Sequence, residues 1–321
     1  MIRTLRFDEN NIPLYIEESF PTDVNETVKT NLRWISMRTH DDIRRILPSI
    51  VMKSQSFVDD LLEDQRPRIQ EYLTLEPNDE TFRVIIMKLP TIKILETDDY
   101  QLQVSFLIVG KTLFSFTNRD HNIVQRIMSK LILLKKSIEM KGLLGFIIEE
   151  LVDSSITVSD ELEDQVERME QNELKGVSKA RGFLTKVTDL KGRIFEAIKD
   201  SRANLEVIRE ILEDPQLLNV TFEHIEDRLL FLTDRLETER STVNDLVNIH
   251  ISMASHLMDK RLYHLTIIGS LMIIPTIVSG LFGMNVVLPP LTFNQILLFI
   301  TVNMLISYIF LRILFRFDKS I

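Results

Sequence analysis

Through the first 120 residues, short apolar and β-branched runs alternate with turn signals; from Asn122 onward the spacing lengthens to the three-and-four rhythm of helices. The short runs predict strands at Ile2–Phe7, Leu32–Ser36, Gln70–Leu75, Phe82–Leu89, Leu102–Val109 and Thr112–Thr117, the last two joined by a tight hairpin at Gly110-Lys111. Helical pieces are expected at Asp41–Leu47 and Phe57–Leu62. Together these make an α+β domain with a mixed, largely antiparallel sheet. Long helices are expected at Ile123–Ile138, Leu143–Glu173 and Lys179–Leu212, with Gly142, Gly145, Gly176, Gly182 and Gly192 leaving room for kinks or ends.

Asp214-Pro215 marks a break, and no Pro or Gly follows between Asn219 and Ile268. Phe222, Ile225, Leu229, Leu232, Leu236, Val243, Leu246, His250, Met253 and Leu257 form an apolar stripe that Glu239 interrupts. One helix from about Thr221 to Phe282 would be about 90 Å long at 1.5 Å per residue. Such a stripe requires neighbours, either within the chain or from other copies.

Between Leu262 and Leu311 there is no Lys, Arg, Asp or Glu, whereas the residues before Leu262 carry nearly all of the charge. That uncharged length suits two membrane-crossing helices of about 20 residues each and a short connection. The expected division is 1–120, a cytoplasmic α/β domain; 121–215, a cytoplasmic helical region; 216–261, a stalk helix; and 262–321, a transmembrane hairpin with a basic tail. Within the hairpin the spans fall at about 262–282 and 293–311, around an outer loop at 283–292. Lys260 and Arg261 precede the first span, Arg312, Arg316 and Lys319 follow the second, and the loop carries no charge. The positive-inside rule then places both termini in the cytoplasm, in a multi-pass protein of the cell membrane. The opening MIRTLRFDEN has no apolar core of a secretory signal.

Composition narrows the chemistry. The chain has no cysteine, which removes disulfides, thiolate metal sites and cysteine nucleophiles. A net charge of −9 argues against nucleic acid and suits divalent cations. The run Asp160, Glu161, Glu163, Asp164, Glu167, Glu170, Glu173 reads either as a solvated helix face or as a cation-collecting surface. The six histidines show no metal or catalytic spacing and there is no phosphate loop, so an enzyme is not expected and no organic cofactor is implied. His264 stands inside the apolar span, where a pore-facing or helix-end position is tolerated better than lipid.

Two membrane helices cannot enclose an aqueous path alone, so the hairpin either anchors the domain or lines a pore in a ring of copies. Thr266, Gly269, Ser270, Thr276, Ser279, Gly280 and Gly283 suit either role, because small residues also serve helix packing in lipid. Asn285, just beyond the first span, favours the pore. A ring of carboxamide oxygens at one level would accept hydrogen bonds from the water shell of a cation such as Mg²⁺, which dehydrates reluctantly. Gly283 would let the backbone turn and expose carbonyls nearby.

At Gly283-Met284-Asn285 the chain resembles the CorA family of divalent-cation transporters, whose GMN signature ends the first of two C-terminal membrane helices. The context strengthens the likeness: an apolar helix with Pro275-Thr276 and Gly280 before it, a short loop, and a second span ending in basic residues. FVDDLLEDQRPRIQEYLTL, GLLGFIIEELVDSSITVSDELEDQVERME and SHLMDKRLYHLT also resemble family segments, so the similarity spans essentially the whole chain. It implies a funnel-shaped homopentamer with Gly283, Met284 and Asn285 as selectivity filter. Asp259, Leu262, Leu265, Gly269, Ile273 and Thr276 would line or gate the pore, Asp259 taking the place of a common asparagine.

The resemblance further implies regulatory cation sites at Asp59 and Asp60 on one side, and at His224, with Glu226 and Asp227, on the other. The family expects a carboxylate where His224 stands. The outer loop departs as well: Leu288-Pro289-Pro290-Leu291 lacks the usual glutamate. The implied activity is passive, potential-driven Mg²⁺ influx gated by intracellular Mg²⁺, with Mg²⁺ as both transported and regulatory ion and with lipid and further copies of the chain as partners. Zn²⁺, Co²⁺ or Ni²⁺ transport by the same fold, or a transport-inactive membrane-anchored scaffold, are the alternatives.

Overall fold

The computed structural model describes residues 2–18, 31–39, 42–43, 61, 65–73, 81–90, 101–118, 122–174, 180–215, 217, 219–284 and 292–318. The chain divides into two compact units, Met1–Leu246 and Val247–Ile321.

In the first unit seven strands, β1 (Arg3–Phe7), β2 (Pro13–Glu17), β3 (Arg33–Met37), β4 (Arg68–Leu73), β5 (Thr81–Pro90), β6 (Gln101–Val109) and β7 (Thr112–Thr117), form one sheet in the order β2-β1-β3-β7-β6-β5-β4. Among the described residues only β3 and β7 run parallel; the other pairs are antiparallel. β6 and β7 are joined by a two-residue turn in which Gly110 takes the left-handed conformation (φ 57°) that tight hairpins demand. β3 and β7 are buried on both faces, as befits a sheet centre covered on either side. One face gathers Ile35, Met37, Val84, Ile86, Leu107, Phe114 and Phe116 into a core with Ile43 and Leu61. Trp34 points the other way, fully buried, with its indole N–H donating to Ser115 Oγ at 2.8 Å.

β2 was not expected from the sequence. It begins with a proline and leaves Leu14 and Tyr15 exposed, as an edge strand can. The turn that creates it is chemically explicit: Asp8 Oδ1 accepts from the N–H groups of Asn10 (2.9 Å) and Ile12 (2.7 Å), and Asn11 adopts φ 58°. The helical pieces expected at 41–47 and 57–62 fall mostly outside the described residues, but Asp42, Ile43 and Leu61 are helical.

Five helices follow: α1 (Ile123–Leu134), α2 (Met140–Leu174), α3 (Ala180–Glu213), α4 (Thr221–Phe282) and α5 (Phe293–Asp318). α1 stops four residues earlier than its pattern suggests, because Lys135 turns left-handed (φ 48°) and the following residues bind the β1–β2 turn, Ile138 N–H donating to Asn11 O at 3.0 Å. α3 lies along β5 and β4, and α2 also meets β5.

The apolar stripe on α4 is buried from Phe222 through Leu246, and His250 is buried too, whereas Met253 and Leu257 are exposed. α2 and α4 are joined by a ladder of charges. Arg228 pairs with Glu149 (3.5 Å) and Asp153, and one heptad later Arg235 pairs with Asp160 and Glu163. The hydrogen bond that Arg235 donates to the Glu163 carboxylate is the chief reason that the guanidinium holds its proton more tightly than usual. Part of the acidic run on α2 is therefore an interhelical ion-pair surface.

Glu239 sits one turn beyond Arg235, 8% exposed. Burial, reinforced by the neighbouring Glu163 charge, raises its pKa, and Arg235 only partly opposes this. The stabilising contribution of the protonated form is complete below the unfolded-state pKa of about 4.3 and is lost as pH rises through the higher folded value. Glu239→Gln should therefore raise Tm at pH 7 by a few degrees, with the advantage vanishing on acidification towards pH 4. A variant that gains nothing at pH 7 would show that the ionised carboxylate is not a burden there.

Candidate pore and cation-binding residues

Among the described residues, α4 and α5 are the two helices long and apolar enough to cross a membrane, and their apolar stretches are almost entirely unburied within the chain. Exposed apolar side chains of this extent need lipid or other copies to cover them.

Five polar side chains of these helices bond back to carbonyls of their own helix, which suits a hydrocarbon surrounding. Thr266 Oγ1 donates to Leu262 O (2.9 Å), Thr276 Oγ1 to Met272 O (2.7 Å) and Ser279 Oγ to Thr276 O (3.1 Å). In α5, Thr301 and Asn303 donate to the carbonyls of Leu297 and Phe299, both at 2.8 Å. Pro275, inside α4, withholds an N–H from the ladder there. α5 opens with one half of a capping box: Gln295 Oε1 accepts from Thr292 N–H at 2.9 Å, while the backbone carbonyl of Thr292 accepts from the N–H groups of Gln295 (3.0 Å) and Ile296 (3.2 Å).

The sheltered positions on the membrane part of α4 are Tyr263, Ile267, Ser270, Leu271, Ile274, Pro275 and Val278. Their three-and-four spacing marks a face with a neighbour. Leu262, Leu265, Gly269, Ile273 and Thr276 are all exposed and share another face. With successive residues turning about 100°, the centres of the two faces lie about 160° apart. Asp259 stands at the edge of the exposed face, and His264 lies well away from it, with its ring edge-on to Tyr263 at 5.5 Å.

α4 ends at Phe282, and the next two residues are the first two of the GMN motif. Gly283 N–H still donates to Ser279 O at 3.0 Å, and Met284 N–H to Leu281 O at 3.3 Å. A Cβ at position 283 would lie 3.3 Å from the Ser279 carbonyl oxygen, so glycine suits the closing turn. Met284 is exposed. Asn285 and loop residues 286–291 lie outside the described residues.

Asp59 and Asp60 also lie outside the described residues. On the first turns of α4, His224 and Asp227 are exposed, while Glu226 is held by Arg209 Nε at 2.7 Å in an α3–α4 ion pair. Among the described residues no three His, Asp or Glu side chains stand together in a way that would hold a metal ion.

Residues 30–317 match the family described as CorA-like Mg²⁺ transporter protein. The cobalt/magnesium transport protein CorA of Methanocaldococcus jannaschii is 25% identical over 267 residues, covering 78% of this chain and 80% of the relative. Among solved structures, the complete CorA magnesium transporter of that organism superposes with a TM-score of 0.77 at 21% identity, over 98% of this chain and 97% of its own. The cytoplasmic domain of ZntB from Vibrio parahaemolyticus superposes with a TM-score of 0.52 at 15% identity, over 81% of this chain and 97% of its own. Both likenesses concern the fold. With a family match over nearly its whole length and two membrane-length helices, the chain belongs to the CorA-like Mg²⁺ transporter family: it is a membrane-integral divalent-cation transporter and not an enzyme.

Proposed function

We propose that the chain is a homopentameric pore for passive, potential-driven Mg²⁺ influx, with both termini in the cytoplasm and closure by intracellular Mg²⁺. The observation that carries the reading is the unpartnered α4 face of Leu262, Leu265, Gly269, Ile273 and Thr276, which turns away from the sheltered stripe and leads to Gly283-Met284-Asn285. In a ring of copies, that face would line the axis and Asn285 would form the outer filter. Thr276 spends its hydroxyl hydrogen on Met272 O, which leaves oxygen lone pairs to accept from the outward-pointing hydrogens of a hydrated cation. Leu262 and Leu265 supply apolar rings suited to gating by dewetting, and Asp259 a charged ring at the cytoplasmic mouth.

A divalent ion gains about 4.6 kcal/mol per 100 mV of inside-negative potential, enough for more than a thousandfold accumulation through a pore that never closes. Residues 1–215 would supply the sensor, 216–261 the stalk and 262–321 the pore. Bound Mg²⁺ at Asp59 and Asp60, facing His224 and Asp227 of a neighbour, would cancel like-charge repulsion and hold the ring shut. Neutralising Asp59 and Asp60 together is expected to weaken inhibition by internal Mg²⁺, measured as dose-response curves of current. Superimposable curves would remove these residues from the sensor.

The loop Leu288-Pro289-Pro290-Leu291 offers the cation no carboxylate, so Asn285 works alone at the outer mouth. Pro290→Glu should raise uptake at low external Mg²⁺; an unchanged rate would count against this account of the loop.

Zn²⁺, Co²⁺ or Ni²⁺ transport is the second reading, favoured by His224 and by the weak discrimination of amide oxygens acting through a hydration shell. Reconstitution in liposomes with paired Mg²⁺ and Zn²⁺ uptake, with and without a proton gradient, separates the two. Mg²⁺ uptake indifferent to the proton gradient is expected; Zn²⁺ uptake that needs the gradient would transfer the assignment to the second reading, and no uptake of either ion would favour the scaffold.

A further inference from the structure

The first unit contains a cleft of about 630 Å³, within the range of small-molecule sites, that the transport reading leaves unused. It forms where β4 begins. Pairing of β4 with β5 starts at Arg68 opposite Ile86, after Pro67, so Lys88, two residues further along β5, lies beyond the reach of a β4 strand partner. The carboxamide of Asn204 on α3 substitutes for one: Oδ1 accepts from Lys88 N–H at 3.1 Å, and Nδ2 donates to Lys88 O. The sheet edge is thus closed chemically, while the space beside it remains open.

That space is lined with cations in a chain of net charge −9. Lys88 (7% exposed) and Asp200 (2% exposed) are its buried charged groups, and Arg66, Lys199, Arg202 and Arg240 surround them. Three guanidinium groups share two glutamates: Arg66 bonds Glu206 at 3.0 Å, while Arg202 (2.6 Å) and Arg240 (3.3 Å) both bond Glu237. Each guanidinium has five N–H donors, so donors are left over. The Arg66–Glu206 pair is solvent-exposed on both sides and correspondingly weak, so a phosphate that engages arginine bidentately can displace it. Phe195, 52% exposed, adds an aromatic face to the same cleft. An exposed ring beside surplus guanidinium donors matches a ligand that carries both a planar ring and phosphates.

We propose that this cleft binds a nucleoside polyphosphate, with Arg66, Arg202 and Arg240 on the phosphates and Phe195 against the base. The test is equilibrium binding of ATP, inorganic triphosphate and adenosine to the full-length protein in nanodiscs, with free Mg²⁺ clamped. Saturable ATP binding is expected, weakened about tenfold or more in Arg66→Ala/Arg202→Ala, whose sites are exposed and whose folding is verified by an unchanged Tm. Phe195→Ala should weaken ATP but leave triphosphate unaffected. No saturable ATP binding by the wild type, or equal affinity in the double-arginine variant, would overturn the proposal. Triphosphate bound as tightly as ATP, with no effect of Phe195→Ala, would overturn the nucleotide assignment in favour of a bare polyphosphate.

Discussion

Asn285→Ala is expected to reduce Mg²⁺ uptake into proteoliposomes by well over tenfold, with assembly and Tm unchanged. In the proposed pore, the substitution would remove one carboxamide oxygen per copy from the level at which a hydrated cation is recognised. A hydrogen bond to a charged group is worth about 1.5–3 kcal/mol, and a single loss of about 1.4 kcal/mol is already a factor of ten. The helix leading to the motif should not suffer, because its last bonds, Gly283 N–H to Ser279 O and Met284 N–H to Leu281 O, are backbone contacts. Uptake at the wild-type rate would remove Asn285 from the filter.

Trp34→Ala is expected to cost the soluble unit about 3–5 kcal/mol, against a usual domain stability of about 5–15 kcal/mol. Trp34 is fully buried at the centre of the sheet, and its removal leaves a cavity as well as a Ser115 hydroxyl without its donor. Trp34→Phe should cost distinctly less, since most of the volume remains. Because Trp34 is the single tryptophan, its emission reports unfolding of this unit in the wild type, while circular dichroism follows both variants. A Tm for Trp34→Ala within a few degrees of wild type would mean that the site collapses to fill the void.

The parts of the architecture that were legible in the sequence were those with long-range periodicity. The break-free run after Asn219 corresponds to the 62-residue α4, and the uncharged stretch from Leu262 to Leu311 to the end of α4 and most of α5. Six of the seven strands were visible as apolar runs. β2 was not, because an edge strand with exposed Leu14 and Tyr15 lacks alternation, and its signal lay in the Asp8–Asn11 turn instead. The end of α1 was overrun because Lys135 adopts a left-handed conformation without a glycine to announce it.

The acidic run on α2 could be read only as a surface until its partners were known. The clue was the seven-residue spacing of Arg228 and Arg235, which matches that of Asp153 and Asp160. The T-x-x-Q cap at Thr292 was a short-range signal and could have been recognised. For the candidate pore, the motif and its helical spacing were legible, whereas the opposition of the exposed and sheltered faces of α4 required a structure. The cleft was not legible at all, since the segment around Arg66, β5, α3 and α4 are distant in sequence.

The most direct test of the central claim is Mg²⁺ uptake into liposomes that hold the purified protein, driven by a potassium diffusion potential with no proton gradient. The account predicts uptake that rises with inside-negative potential, stops when internal Mg²⁺ is raised, and is absent in Asn285→Ala. Voltage-independent uptake, or none for any divalent cation, would contradict it.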